Sequence, residues 1–256
     1  MSEHVSIHTD GGVLEIRLQR PLKKNALDNA MYGAMADALE RGERDAGVRA
    51  VLFSAEGSDF CAGNDLADFA AFATGALSAA ERQVGRFLHA LAVAEKPYVA
   101  AVQGQAVGVG ATMLLHCDLV FVAEDARLST PFVNLGLTPE AASSALLPAR
   151  IGHARAFAMF ALGEALSGLE AARLGLANVA LPAGEVLAAA HDGARKLAQK
   201  APGALRATKR LLRDVHAIRA LMDAEGQIFS ERLLSQEARE AFQAFLEKRP
   251  PRFQAG

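Results

Sequence analysis

The chain has 256 residues, 51% of them apolar and 22% charged, a composition that excludes a disordered or fibrous protein and allows a large core near the upper size of a single domain. Its 27 basic and 29 acidic residues leave a net charge of −2 with no long run of one sign, so the electrostatic footprint of a nucleic-acid binder is missing and a small-molecule partner is expected. Cys61 and Cys117 are too far apart for a C-x-x-C zinc site and too few for a disulfide framework, and no stretch approaches the roughly 20 apolar residues of a membrane span.

Val5–His8 and Val13–Leu18 flank Asp10-Gly11-Gly12, whose glycines suit the positive φ of a tight hairpin. Residues 1–9 hold no basic run followed by an apolar one, and the chain ends Gln254-Ala255-Gly256 instead of on S-K-L, so a cytoplasmic location is expected. Asn25 to Asp28 offers caps for a helix in which Met31, Met35 and Leu39 recur at helical spacing, ending near Gly47. A buried strand over 48–54 then leads through a loop, 55–65, into a short helix. The same unit repeats as a helix over 81–94, a strand at Tyr98–Val102, a glycine-spaced loop over 103–110 and an apolar helix over 111–117. Repetition of this kind predicts an α/β fold with parallel strands and right-handed crossovers. Strands over 119–123 and 126–129 follow, then a helix from Ser143. Next come a capping box, Ser167-x-x-Glu170, on a helix stopping by Gly175, and a strand over 178–181. Residues 202–248 read as helical and richer in charge, which divides the chain into a core, residues 1–200, and a C-terminal helical element, residues 201–256.

Two loops join a buried strand to a helix start, where backbone N–H groups lack intrahelical partners: Phe60-Cys-Ala-Gly-Asn-Asp-Leu66 and Gln103-Gly-Gln-Ala-Val-Gly-Val-Gly-Ala111. Each alone is a turn that any α/β protein contains. Gly108-x-Gly110 is not a dinucleotide fingerprint, because Met113 stands where the third glycine is required. Glu140, in Thr138-Pro-Glu-Ala-Ala-Ser-Ser144, sits just before a predicted helix, a place where the dipole alone stabilises a carboxylate. Asp65 and Asp68 read as helix caps, Asp118 as a helix end and Cys61 as packing. The seven histidines show no ligand spacing, so no metal site is expected.

Together with the two loops, Arg20-Pro-Leu-Lys-Lys-Asn-Ala-Leu27, Ala100-Val-Gln-Gly-Gln105, His116-Cys-Asp118 and Leu174-Gly-Leu-Ala177 form an ordered set that resembles the crotonase (enoyl-CoA hydratase/isomerase) superfamily over nearly the whole chain. The resemblance implies a ββα spiral of two sheets surrounded by helices, with a C-terminal helical trimerisation element building a homotrimer or a dimer of trimers. It implies an acyl-CoA substrate, coenzyme A being part of that substrate and no cofactor being needed. It also implies an oxyanion hole made by the N–H groups of Asn64 and Val109. Substrate contacts would come from Lys24, Ala26, Ala62, Gly63, Asp65, Leu66, Gly108 and Phe132. Lys23 and Lys24 would meet the CoA phosphates, with Lys209 or Arg213 as helpers, and the stretch from Leu66 to Phe72 would line the acyl pocket.

Hydratases of the superfamily carry two catalytic glutamates, and the matching positions here are Thr112 and Phe132. Neither serves as a general acid or base of the required kind. Gly136-Leu-Thr-Pro-Glu-Ala-Ala-Ser-Ser144 instead resembles the segment that holds the catalytic glutamate in the peroxisomal type of Δ3,Δ2-enoyl-CoA isomerase, and Ala62-Gly-Asn-Asp-Leu66 resembles the same type. On that resemblance Glu140 is the proton shuttle. The alternatives are another crotonase reaction, such as hydration, hydrolysis or decarboxylation, and a non-catalytic acyl-CoA-binding protein.

Overall fold

The computed structural model describes residues 2–65, 67–68 and 82–253. β1 (Val5–Asp10) and β2 (Val13–Leu18) form the expected antiparallel hairpin, with Gly11 and Gly12 at φ 54° and 80° in its turn. Helix α1 (Asn29–Arg44) begins where Asp28 accepts a hydrogen bond from the Met31 amide, and it buries Met31, Met35 and Leu39 at the predicted spacing. Each of those side chains stabilises by roughly 1.5–3 kcal/mol relative to exposure. β3 (Ala50–Ala55), α2 (Gln83–Ala92) and β4 (Tyr98–Val102) follow, and both strands are buried along their whole length. Continuous apolar runs of this sort belong to central parallel strands covered on both faces.

The loop expected over 103–110 contains a short strand, β5 (Gln105–Val107), which three residues are too few to announce by alternation. The helix expected over 111–117 is one α turn, α3 (Val109–Thr112), continued by a 3-10 turn over Met113–His116. Beyond them come β6 (Leu119–Ala123), β7 (Arg127–Ser129), α4 (Ser143–Ile151), α5 (His153–Phe157), β8 (Leu166–Ser167), α6 (Gly168–Arg173) and β9 (Val179–Leu181). Ser167 and Glu170 form the capping box that the sequence spells.

One sheet runs β1-β2-β3-β4-β6-β9, parallel from β2 onward; a second runs β5-β7-β8. Helix α7 (Ala183–Ala198) covers the large sheet, and Gly193 allows that contact, since a Cβ there would lie 2.8 Å from the Phe121 ring. The remainder is helical: α8 (Pro202–Leu212), α9 (Val215–Leu233) and α10 (Gln236–Leu246). Leu233 and Ala238 join the same apolar core as the sheets.

Asp118 does more than end a helix. Its Oδ2 accepts from the Tyr98 amide and from Lys209 Nζ, each at 2.7 Å, and Lys209 also donates to the Lys96 carbonyl at 2.7 Å. Lys209 is thus only 6% exposed and pins α8 to the sheet, so it is not a helper for CoA phosphates. No helix among the described residues is long and apolar enough to cross a membrane.

Candidate active site

The two loops read as oxyanion sites are stitched together by the main chain. Cys61 N donates to Gln105 O and Val107 N to Cys61 O, both at 2.9 Å; on the other side Leu27 N donates to Gly63 O at 2.8 Å and Asp65 N to Leu27 O at 2.9 Å. Gly63 and Gly108 take φ of 92° and 55°, a region that glycine enters without the Cβ penalty. Among the described residues, the amides that follow them, Asn64 and Val109, donate no hydrogen bond. Gly110 permits the close approach of the loops, because a Cβ there would stand 2.7 Å from the Cys61 carbonyl oxygen. Two uncommitted amides on touching loops suit an oxygen that gains negative charge during reaction.

Glu140 precedes α4 and is 9% exposed. Thr112 Oγ1 donates to its Oε1 at 2.5 Å. Burial pushes the Glu140 carboxyl up, the Thr112 hydroxyl pulls it down and the nearby Glu225 pushes it up again, so that it titrates at about 7 instead of 4.5. A carboxylate poised there exchanges protons readily at neutral pH. The next two residues, Ala141 and Ala142, are left-handed at φ 60° and 56°, which costs an L-residue roughly 1–2 kcal/mol apiece.

Neighbouring side chains hold this turn. Glu225 of α9 accepts from Ala142 N at 2.6 Å and Ser144 N at 3.0 Å. His116 Nε2 lies 2.8 Å from the Ala141 carbonyl and its Nδ1 lies 2.9 Å from Arg213. A guanidinium only donates, so Nδ1 accepts and Nε2 carries the hydrogen given to Ala141. Burial, aided by Arg213, pushes the His116 imidazole down to about 3, so it stays neutral.

Glu140 faces a cavity of about 390 Å³ that Asn64, Tyr32, Leu88, Met222 and Phe229 also line. A second cavity, of about 380 Å³, is bounded by Gly63, Asn64, Gly108, Phe132 and Phe229. Asn64 and Phe229 belong to both. Tyr32 Oη donates to Asn64 Oδ1 at 2.5 Å, tying the first loop to α1.

Glu140 and Asn64 thus share the first cavity, while Gly63, Gly108 and Phe132 line the second, which Asn64 joins to the first; Val109 follows Gly108, and Phe132 packs 6.1 Å from the Phe160 ring. Lys24 is exposed, and its carbonyl accepts from Ala62 N at 2.9 Å, so both border the first loop. Ala26 and Asp65 are tied to Arg20, whose Nη1 donates to the Ala26 carbonyl at 3.0 Å and to Asp65 Oδ2 at 2.6 Å. Burial raises the Asp65 carboxyl, but the Ala67 amide and Arg20 outweigh it and hold it below the ordinary range, as expected of a structural group. Asp68, expected as a cap, accepts from the Asn29 amide at 2.6 Å. Arg213 donates to His116 Nδ1 at 2.9 Å. Leu66 and the expected pocket-lining residues 69–72 lie outside the described residues. Sequence reasoning missed Tyr32, Glu225 and the hydroxyl of Thr112. Tyr32 had a legible signal as a polar-tipped aromatic one residue after Met31 on a buried helix, whereas Glu225 had none.

Residues 8–256 match the family model described as enoyl-CoA hydratase/isomerase. The chain belongs to the enoyl-CoA hydratase/isomerase family. The crystal structure of an enoyl-CoA hydratase/isomerase from Pseudoalteromonas atlantica superposes with a TM-score of 0.93 and 41% identity, covering 98% of this chain and 100% of that one, so the crotonase ββα fold expected from the sequence is correct. A probable enoyl-CoA hydratase of Bacillus subtilis is 34% identical over 97% of this chain and 98% of its own length. Enoyl-CoA delta isomerase 2 of Rattus norvegicus is 31% identical over 97% of this chain and 65% of its own length. This member of the enoyl-CoA hydratase/isomerase family thus has relatives of both names, and the choice between them rests on the carboxylates of its site.

Proposed function

We propose that this enzyme is a Δ3,Δ2-enoyl-CoA isomerase that moves the double bond of a 3-enoyl-CoA to the 2-trans position with Glu140 as its single acid–base group. The observation that carries the reading is one buried carboxylate on the cavity, pushed up to about 7; the family resemblance adds that threonine and phenylalanine match the two positions of a hydratase's glutamates. Thr112 has no acid or base of its own to offer and donates to Glu140 instead.

The ionised Glu140 takes a proton from C2. The electrons move into the thioester, whose oxygen becomes a dienolate, and the amides of Asn64 and Val109 stabilise that oxygen, each by about 2.7–4 kcal/mol. Glu140 then returns the same proton to C4, the thioester carbonyl re-forms and the new double bond lies between C2 and C3. A positioned base of this kind contributes ~10²–10⁴-fold. Phe132 would keep water off the second cavity, favouring proton return over hydration. Coenzyme A enters as part of the substrate, with Lys24, Ala26, Ala62, Gly63, Asp65 and Gly108 along its path, and a proton shuttle requires no separate cofactor.

Conversion of 3-hexenoyl-CoA to 2-hexenoyl-CoA tests the reading, with hydration of crotonyl-CoA measured beside it. Wild type should isomerise and hydrate little, and Glu140→Gln should lose isomerisation by at least about 100-fold. The name of the Bacillus subtilis relative favours hydration as a second reading; brisk hydration by wild type, or isomerisation undiminished in Glu140→Gln, would decide for it or for another crotonase reaction.

A further inference from the structure

Glu140 is an acid–base group on a turn that the chain does not favour by itself. Ala141 and Ala142 are consecutive left-handed residues without glycine's freedom, and Glu140 points into the cavity only while they remain so. Two of the clamps on this turn are main-chain bonds to one side chain: the Glu225 oxygens take the Ala142 and Ser144 amides, one oxygen each. Glu225 is 6% exposed on a helix whose neighbouring residues Met222, Gly226 and Phe229 line the same cavity as Glu140. A carboxylate this deeply buried is retained at a desolvation cost, and the two amides are what offset it.

We propose that Glu225 is a positioning residue: its carboxyl takes the two amides of the left-handed turn, aims Glu140 into the cavity and stands as a second acidic group close behind it. This deepens the isomerase reading and rests on it for the reaction, though not for the effect on Glu140 itself. The groups that face Glu140 from other elements are Thr112 of α3, Tyr32 of α1 and Glu225 of α9. Around the cavity stand the acids Asp65, Asp68 and Asp223, the cations Arg82 and Arg219, and the imidazole of His89. His116 touches the turn as a neutral ring with Arg213 behind it. Glu225 is the one among them that both bonds the turn and contributes like charge to Glu140.

The experiment is a titration of the Glu140 carboxyl by ¹³C-glutamate NMR on the full chain, the signal being assigned by its loss in Glu140→Gln, together with kcat and KM for 3-hexenoyl-CoA. In Glu225→Gln the shape is kept and the charge removed, so the Glu140 midpoint should fall by about one pH unit. Turnover should drop at least tenfold with KM changed less than about threefold. In Glu225→Ala carrying Ala142→Gly, the glycine takes the left-handed turn without a clamp; this variant should regain part of the turnover and keep the lowered midpoint. A midpoint unmoved in both variants overturns the proposal, whatever happens to turnover. The titration needs no substrate, so an absence of isomerisation in wild type would defeat the isomerase reading while leaving the Glu225 result to stand or fall separately.

Discussion

The two glycine loops and the glutamate turn meet at two cavities that share Asn64, the turn on the first and the second loop on the other, but they are held by opposite means. The loops at 60–65 and 103–110 are fixed by main-chain bonds among Leu27, Cys61, Gly63, Gln105 and Val107 and by glycines that let the backbones touch. The turn at 140–144 is fixed by the side chains of Thr112, His116 and Glu225 and by two strained alanines. A frame of backbone bonds is indifferent to most side-chain changes and fails only where a Cβ intrudes. A frame of side chains is adjustable by single substitutions, and it carries its own titration.

The largest effect should follow from breaking the backbone frame. Gly110→Ala sets a methyl group 2.7 Å from the Cys61 carbonyl oxygen and 2.8 Å from its Cβ, neither of which is free to yield. Parting the loops misaligns the donors, and we expect turnover to fall ~10²–10³-fold, the effect of losing an oxyanion donor. Turnover within a few-fold of wild type would mean that the loops need not touch.

Next is the stability that the glutamate turn exchanges with pH. The folded Glu140 titrates at about 7 against 4.5 for an ordinary glutamate, so between those values the folded state holds a proton that the unfolded chain releases. Stability is therefore full below pH 4.5 and declines as pH rises to about 7, by about 3 kcal/mol in all. Urea unfolding of wild type and Glu140→Gln should show the variant gaining on wild type by that order between about pH 4.5 and about pH 8. His116 works in the other direction, losing its contribution as pH falls from 6.5 toward about 3, but it is common to both proteins and cancels. A constant difference between the two proteins across this range would show that Glu140 is not buried as described.

The smallest change concerns one hydroxyl. Thr112→Val removes a donor that favours the charged Glu140, so the acid limb of the kcat/KM profile should move up by about one pH unit while the plateau changes little. An unmoved limb would place the controlling proton elsewhere and set the loops and the turn on equal terms.

The same contrast explains what could be read from the sequence. The hairpin around Gly11 and Gly12, the Ser167–Glu170 capping box and the buried runs of β3 and β4 depend on neighbours a few residues away, and they stand where the spacing predicts. The two glycine loops stand where the local pattern places them, whereas their reading as an oxyanion hole comes only from the family resemblance of the ordered set. The supports of Glu140 were not. Thr112 is 28 residues from it in sequence, and Glu225 reaches an amide 83 residues away. In the sequence Thr112 registered only as the lack of a glutamate, and Glu225 as one more charge on a helix. Lys209 misleads in the opposite sense: the family resemblance offers it as a helper for the CoA phosphates, yet Asp118 holds it inside.

Cys61 and Cys117 are both sealed, and burial pushes each thiol up to about 12, so almost no thiolate exists at neutral pH. Their reaction with an alkylating reagent must wait for the protein to open, which turns each sulfur into a clock. Cys61 sits in the first loop where it touches the second, and Cys117 sits beside the Asp118–Lys209 pin, just after the 3-10 turn that continues α3. Their two labelling rates would time the parting of the loops separately from the loosening of the C-terminal helices, and an acyl-CoA seated on the loops should slow the first clock more than the second.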